Sequence, residues 1–297
     1  MGTEIYYFSG TGNSLVVARD IAEKLEGKLL LMSSLSSNKS ITINAEIIGI
    51  VFPVYHQGVP NIVKRFIFRI NNLENKYIFG VCTYGDSPGI TIKYLKNIVN
   101  ANNGNLAAGF AVNMPYNYLS PSFVLNGFFK FFSLREIHED NKKEMFYNWK
   151  KKLNNICNYI RLKKSGKYET EAELIESLVD YLNLRETIQK YIWLKIAGFN
   201  GDDQDLTFRE SIKVMDYGFN CTVRCNSCSI CSKICPVNNI KMADGRPVWQ
   251  HHCEQCFACL QWCPEKAIQF RKGTFQCNRY HHPEVTLSDM MEGMSFK

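Results

Sequence analysis

"YYFSGTGNSL" (residues 6–15) passes from three strand-forming residues through a turn built on two glycines into the opening of a helix. Such a turn presents backbone N–H groups at the positive end of a helix dipole, which favours phosphate. Spacing then separates the kinds of phosphate site. A dinucleotide fingerprint requires glycine three residues beyond Gly12, where the chain has Leu15. A triphosphate loop requires Gly-Lys-Ser/Thr, and no lysine follows before Lys24, near the end of the helical pattern. What remains is Ser9, Gly10, Thr11, Gly12, Asn13 and Ser14, hydroxyls alternating with glycine. That set suits one phosphate monoester, since a pyrophosphate asks for more glycine and closer backbone approach.

The following segments extend the same plan. "LVVARDIAEKL" (residues 15–25) has helical periodicity on one face. "EIIGIVFPVYHQGVP" (46–60) reads as a buried strand ending in a Pro/Gly loop, and "YIFGVCTYGDSPG" (77–89) repeats that design. A further strand near Leu106–Met114 ends in "MPYNYL". Continuous apolar strands alternating with helices imply a parallel sheet covered on both faces, with ligands beyond the carboxyl ends of the strands.

The pattern S/T-x-T-G-x-S/T after the first strand resembles the FMN-phosphate loop of flavodoxins. The resemblance implies an α/β, doubly wound parallel five-stranded sheet, with FMN held by its phosphate on residues 9–14. In flavodoxins, aromatic residues from two later loops flank the flavin ring. Carried over, the ring contacts are Pro53, Val54 and Tyr55 from one loop, and Thr83, Tyr84, Gly85 and Asp86 from the other. Pro53–Pro60 departs from the long-chain pattern, which carries tryptophan there. His56 reads as a solvated loop histidine, and Asn117 and Tyr118 as further candidate contacts.

Eight of the twelve cysteines fall in "CNSCSICSKICP" (225–236) and "CEQCFACLQWCP" (253–264). Both have the spacing C-x2-C-x2-C-x3-C-P, each cysteine is offset by 28 residues from its counterpart, and the repeat continues through Ile240/Ile268 and Gly245/Gly273. Three thiolates spaced by three along a tight loop grip three irons of a cubane, and a fourth ligand must come from elsewhere. Zinc also uses C-x2-C pairs, but a third and fourth cysteine before proline, repeated in register, is not a zinc-ribbon pattern. The runs resemble bacterial two-cluster ferredoxins, in which the last cysteine of each run ligates the other cluster. That implies one [4Fe-4S] cluster on Cys225, Cys228, Cys231 and Cys263, and a second on Cys253, Cys256, Cys259 and Cys235. Cys82, Cys157, Cys221 and Cys277 receive no role; Cys82 reads as a core residue, and Cys221 lies near enough to Cys225 to compete as a ligand.

The 297 residues suit two domains. The chain as a whole resembles the fused flavodoxin–ferredoxin proteins of anaerobic bacteria. We expect a flavodoxin-like domain over 1–165, a helical connector over 166–205, and a small α+β ferredoxin-like two-cluster domain over 206–297. Leu174, Leu178, Leu182, Ile188, Ile192 and Ile196 fall near one face of the connector, which we expect to pack on a neighbouring domain.

Twelve cysteines, mostly clustered, in a chain this long do not read as a disulfide framework. The formal charge of +7 is scattered rather than gathered in a stripe, which argues against nucleic acid. Two clusters with their thiolates would contribute roughly −4 and a phosphate roughly −2, leaving about +1. No apolar run reaches a membrane span; "FVLNGFFKFF" (123–132) is short and interrupted, and reads as a docking or core segment. The first residues enter a strand without a leader pattern, so a cytoplasmic location is expected. The combination points to low-potential electron transfer between two clusters and FMN, with a redox protein as donor or acceptor. Two alternatives remain open: an FMN-dependent reductase of a small-molecule acceptor, and an iron–sulfur carrier whose N-terminal domain is a flavin-free docking module. No NAD(P)H fingerprint is present.

Overall fold

The computed structural model describes residues 2–116, 139–171, 173–201, 205–271, 274–275 and 277–292. The readings at Asn117, Tyr118, Gly273 and 123–132 lie outside these residues. The first half runs β1 (Thr3–Tyr7), α1 (Asn13–Lys24), β2 (Lys28–Leu31), β3 (Ile47–Pro53), α2 (Asn61–Phe68), β4 (Tyr77–Tyr84), α3 (Thr91–Asn100), β5 (Leu106–Asn113), α4 (Glu139–Arg161) and β6 (Lys167–Tyr168). Every strand pairing is parallel, in the order β2-β1-β3-β4-β5-β6. The order reverses between β1 and β3, which puts a crevice at their carboxyl ends, where residues 9–14 and 54–60 leave the sheet.

Helices cover both faces: α1 packs with α4, and α2 with α3. Two strand glycines let α3 approach. Gly80 and Gly109 face each other in register, and a Cβ on them would fall 2.2 Å from Leu95 Cδ2 and Ile92 Cγ2 respectively. Across the sheet α4 is tied to α1 by Trp149, whose Nε1 donates to Asp20 Oδ2 at 2.7 Å.

The sheet has six strands rather than the expected five. After α4 the chain returns along the open edge of β5, where unpaired backbone groups need partners. Gly166 N–H donates to Ala107 O at 2.9 Å, Glu169 N–H to Gly109 O at 3.0 Å, and the Glu169 carboxylate accepts from Ala111 N–H at 2.9 Å. Two residues are too few for alternation to announce a strand.

The connector also differs from expectation. It forms α5 (Glu173–Tyr181), a turn through Asn183 at φ 54°, a short π segment (Arg185–Gln189) and α6 (Lys190–Ala197). Leu194 and Ala197 are buried, but Leu174, Ile175, Leu178, Leu182 and Ile188 are exposed, so the expected packed face is open over α5.

The last third comprises α7 (Phe208–Val214), β7 (Phe219–Cys221), α8 (Ile230–Lys233), the hairpin β8 (Ile240–Ala243) and β9 (Arg246–Trp249), α9 (Ala258–Gln261), β10 (Ile268–Phe270) and α10 (Leu287–Met291). β10 pairs antiparallel with β7, closing the unit around Phe219, Phe257 and Phe270, whose rings lie 5.0–5.4 Å apart. The sequence repeat is also a backbone repeat. Left-handed residues Ser227, Ser229 and Asn238 recur 28 positions later at Gln255, Phe257 and Lys266.

Candidate functional site

The N-terminal turn lies against the cysteine-rich third. Gly12 adopts φ 96°, a left-handed conformation that favours glycine, and opens α1. Ser9, Thr11, Asn13 and Ser14 are all buried. Gly12 N–H donates to Ser9 Oγ at 3.0 Å, and Ser14 Oγ shares a 2.8 Å hydrogen bond with Thr83 Oγ1. Among the described residues, the backbone N–H groups of Gly10, Thr11, Asn13, Ser14 and Leu15 have no acceptor. Buried donors left unpaired at a helix N-terminus are costly unless an anion takes them, so this donor set fits a phosphate.

Three later segments cover the turn. A Cβ on Gly10 would fall 2.6 Å from both Cys256 O and the Tyr55 hydroxyl, so the loop and the second cysteine run touch. Trp262 Nε1 donates to Gly10 O at 3.1 Å. Residues 280–291 lie across it as a strap: Tyr280 Oη donates to Asn13 Oδ1 at 2.6 Å, His282 N–H donates to Thr11 O at 2.8 Å, and Val285 packs on Gly12. Arg19 and Asp289 pair at 3.3 Å beside it. His282 is buried with Nδ1 accepting from Glu284 N–H, and burial pushes its imidazole down to about 4, keeping it neutral.

The residues expected around a flavin ring are distributed differently. Tyr55 turns inward, edge-on to Phe8 at 5.9 Å. Pro53 ends β3 in register with Thr83, and Val54 N–H donates to Thr83 O at 2.8 Å. Gly85 lies under the Tyr116 ring, and Asp86 hydrogen-bonds the Tyr116 hydroxyl, adding to the burial that raises that phenol to about 12. Tyr84 is half-buried at the end of β4. His56 is not a solvated loop residue: it packs edge-on to Trp193 at 4.7 Å, with Nδ1 buried and unpaired among the described residues. Burial and nearby Arg209 push its imidazole down to about 3, so near neutrality it is a neutral imidazole rather than an imidazolium acid.

The eight run cysteines surround two cavities. One, about 320 Å³ with its open mouth included, is lined by Cys225, Cys228, Cys231 and Cys263. The other, about 310 Å³, is lined by Cys235, Cys253, Cys256 and Cys259. Each gathers three cysteines of one run and the last of the other. Left-handed residues alternate along each run, the backbone pattern of an anion-binding nest. Asn239 N–H donates to Cys235 Sγ at 3.2 Å, and its repeat counterpart Ala267 N–H to Cys263 Sγ at 3.3 Å. Burial, with neighbouring sulfurs, drives the Cys253 and Cys259 thiols well up and Cys231 to about 12. A cationic centre would displace these protons. Among the described residues no three His, Cys, Asp or Glu side chains are grouped to hold a single metal ion. Of the remaining cysteines, Cys82 and Cys157 lie in the core, and Cys221 sits beside Cys225.

Glu254, inside the second run, docks the halves. Its buried carboxylate accepts from Ile62 N–H at 3.1 Å, at the start of α2, and pairs with Arg65 at 2.6 Å. Sequence reasoning missed Glu254, Trp262, Tyr280 and His282. The available signal was the place where the runs differ: glutamate and tryptophan in one stand against Asn226 and Ile234 in the other.

Residues 4–116 match the flavodoxin domain family. Among solved structures the chain is similar to a putative flavoprotein from Bacteroides uniformis, at 20% identity and TM-score 0.34, covering 39% of this chain and 92% of that one. It is similar to two-electron reduced flavodoxin from Megasphaera elsdenii at 19% and 0.31, covering 37% and 85%. It is also similar to rubredoxin oxygen:oxidoreductase from Desulfovibrio gigas at 15% and 0.34, covering 55% and 36%. These scores are too low to argue from; the flavodoxin-like fold follows from the strand order and the family match. No curated protein matches the chain.

Proposed function

We propose that the chain is an electron-transfer flavoprotein that binds FMN on residues 9–14 and two [4Fe-4S] clusters on the crossed cysteine quartets. The observation that carries this reading is the grouping of each quartet around its own cavity, three cysteines from one run and one from the other. When bound, the clusters supply one-electron chemistry and the flavin one- or two-electron chemistry, so the chain would couple the two.

The residues divide the work. The amides of Gly10, Thr11 and Asn13–Leu15 would hold the phosphate, with Ser14 fixed by Thr83. N–H groups of Asn239 and Ala267 on sulfur would disperse negative charge and raise the cluster potentials. The buried stretch 253–260 excludes water from the inner quartet, while Cys256 keeps it against Gly10. In this reading, the connector and cysteine-rich third are a helical bridge and a ferredoxin-like domain. The partner is a redox protein.

Two observations favour a second reading. The strap over the loop and the inward Tyr55 are what a flavin-free docking domain would also display. Anaerobic dithionite titration separates the two. The flavoprotein takes up about four electron equivalents per chain, one per cluster and two at the flavin. Uptake of about two supports the flavin-free carrier, and no uptake overturns both.

A further inference from the structure

The two quartets face different surroundings, and the outer one has the surface of a docking site. We infer that the rim formed by residues 222–228, the β8–β9 hairpin and Phe275 receives an acidic one-electron carrier protein. This rests on the cluster reading above and adds the partner and its place. Electron transfer weakens steeply with distance, so a partner must reach a quartet closely. The inner quartet is walled by the flavodoxin-like half through Glu254, Cys256 and Trp262. At the outer quartet Cys228 is exposed, and Cys225 and Cys263 are half-exposed.

The composition of that rim matches a small transient interface. Val223 is 90% exposed two residues before Cys225, Phe275 is exposed beneath the Arg224 guanidinium, and Val248 is exposed on the hairpin whose Met242 and Pro247 line the quartet's cavity. A lone exposed apolar residue is ordinary, but three on these segments, with two arginines, have the aromatic-and-arginine character of interface centres. The Arg224 guanidinium lies 5.4 Å over the Phe275 ring, and Arg246 Nη1 donates to Thr222 O at 3.0 Å. Both cations are thus held in place beforehand, which lowers the ordering cost of association. Within these segments the exposed cations Arg224, Lys241 and Arg246 outnumber the exposed Asp244. Charge of one sign around a small apolar centre steers an oppositely charged partner and gives fast, salt-sensitive association.

The test is calorimetric binding of an oxidised acidic plant-type [2Fe-2S] ferredoxin to the full, iron-loaded chain. Binding should weaken at least about tenfold between about 20 mM and about 300 mM salt. Arg224→Glu/Arg246→Glu should weaken it at least about tenfold at low salt. Because Arg246 also braces the backbone, Val223→Asp supplies an independent arm at a side chain open to solvent, with the same direction expected. Lys28→Glu/Lys39→Glu makes an equal charge change on the N-terminal half and should shift affinity less than about twofold. Equal weakening by that control, or undiminished binding in both rim variants at full iron content, overturns the proposal alone. Chain without iron overturns the cluster reading and the docking surface together.

Discussion

The two cysteine runs share one spacing, one backbone repeat and the N–H donor to their last sulfur, yet one is buried from 253 to 260 while the other is exposed from 226 to 228. The difference lies between the cysteines. Where the outer run has Ser229 and Ser232, the inner has Phe257 and Leu260, which fill the core of the last third. Ile234 and its counterpart Trp262 both join the core of the first half, and only Trp262 reaches the Gly10 carbonyl. The cysteines set what each loop can hold; the residues among them set what it faces. One copy of a duplicated loop has become an internal joint, and its twin remains a surface.

Substitutions at the two runs test that contrast. The largest effect is expected from Cys256→Ser, which removes a proposed cluster ligand at the joint. Iron should fall from about eight to about four per chain, with a lower melting temperature. Cys228→Ser should lose the same iron with a smaller melting shift, and equal shifts would contradict the joint. Next, Phe257→Ala should cost about 3–5 kcal/mol in denaturant unfolding, while Ser229→Ala at the equivalent position should stay within about 0.5 kcal/mol. Similar costs at both positions would remove the asymmetry.

Arg65→Met tests the docking contact itself. It leaves the Glu254 carboxylate buried without its counter-charge, and burial already raises that group. The expected cost is about 1–2 kcal/mol, below the about 3–5 of a fully buried pair because Arg65 remains 43% exposed. The smallest effect concerns pH. His282 must be neutral to accept from Glu284 N–H, and its native pKa is about 4. A histidine lowered on folding contributes fully above its unfolded value of about 6.5, and that contribution is lost as pH falls toward the native one. Proteolytic release of the segment after Asn278 should therefore quicken between about pH 6.5 and about pH 4, and His282→Gln should flatten the response. A pH-independent rate in the parent protein would contradict it.

Local features were legible in the sequence. The turn at Ser9–Ser14 announces itself by glycine and hydroxyl spacing, and each run by its cysteines and proline. The grouping of the quartets was legible only through family resemblance, because spacing alone does not say which run supplies a fourth ligand. What escaped depends on distant partners. Lys167–Tyr168 is a strand only because β5 has an open edge. Tyr55 turns inward because Gly10, forty-five residues earlier, leaves room for its hydroxyl. Asn13, expected at a phosphate, is held between Pro115 O and Tyr280. The apolar repeat from Leu174 to Ile188 predicted a buried face, but periodicity reports amphipathicity, and Leu174 is 88% exposed.

The most direct test is the cofactor content of protein purified without oxygen. Iron, acid-labile sulfide and heat-released FMN should approach about eight, eight and one per chain. Zinc in place of iron, or sulfide far below iron, would contradict the account at its foundation.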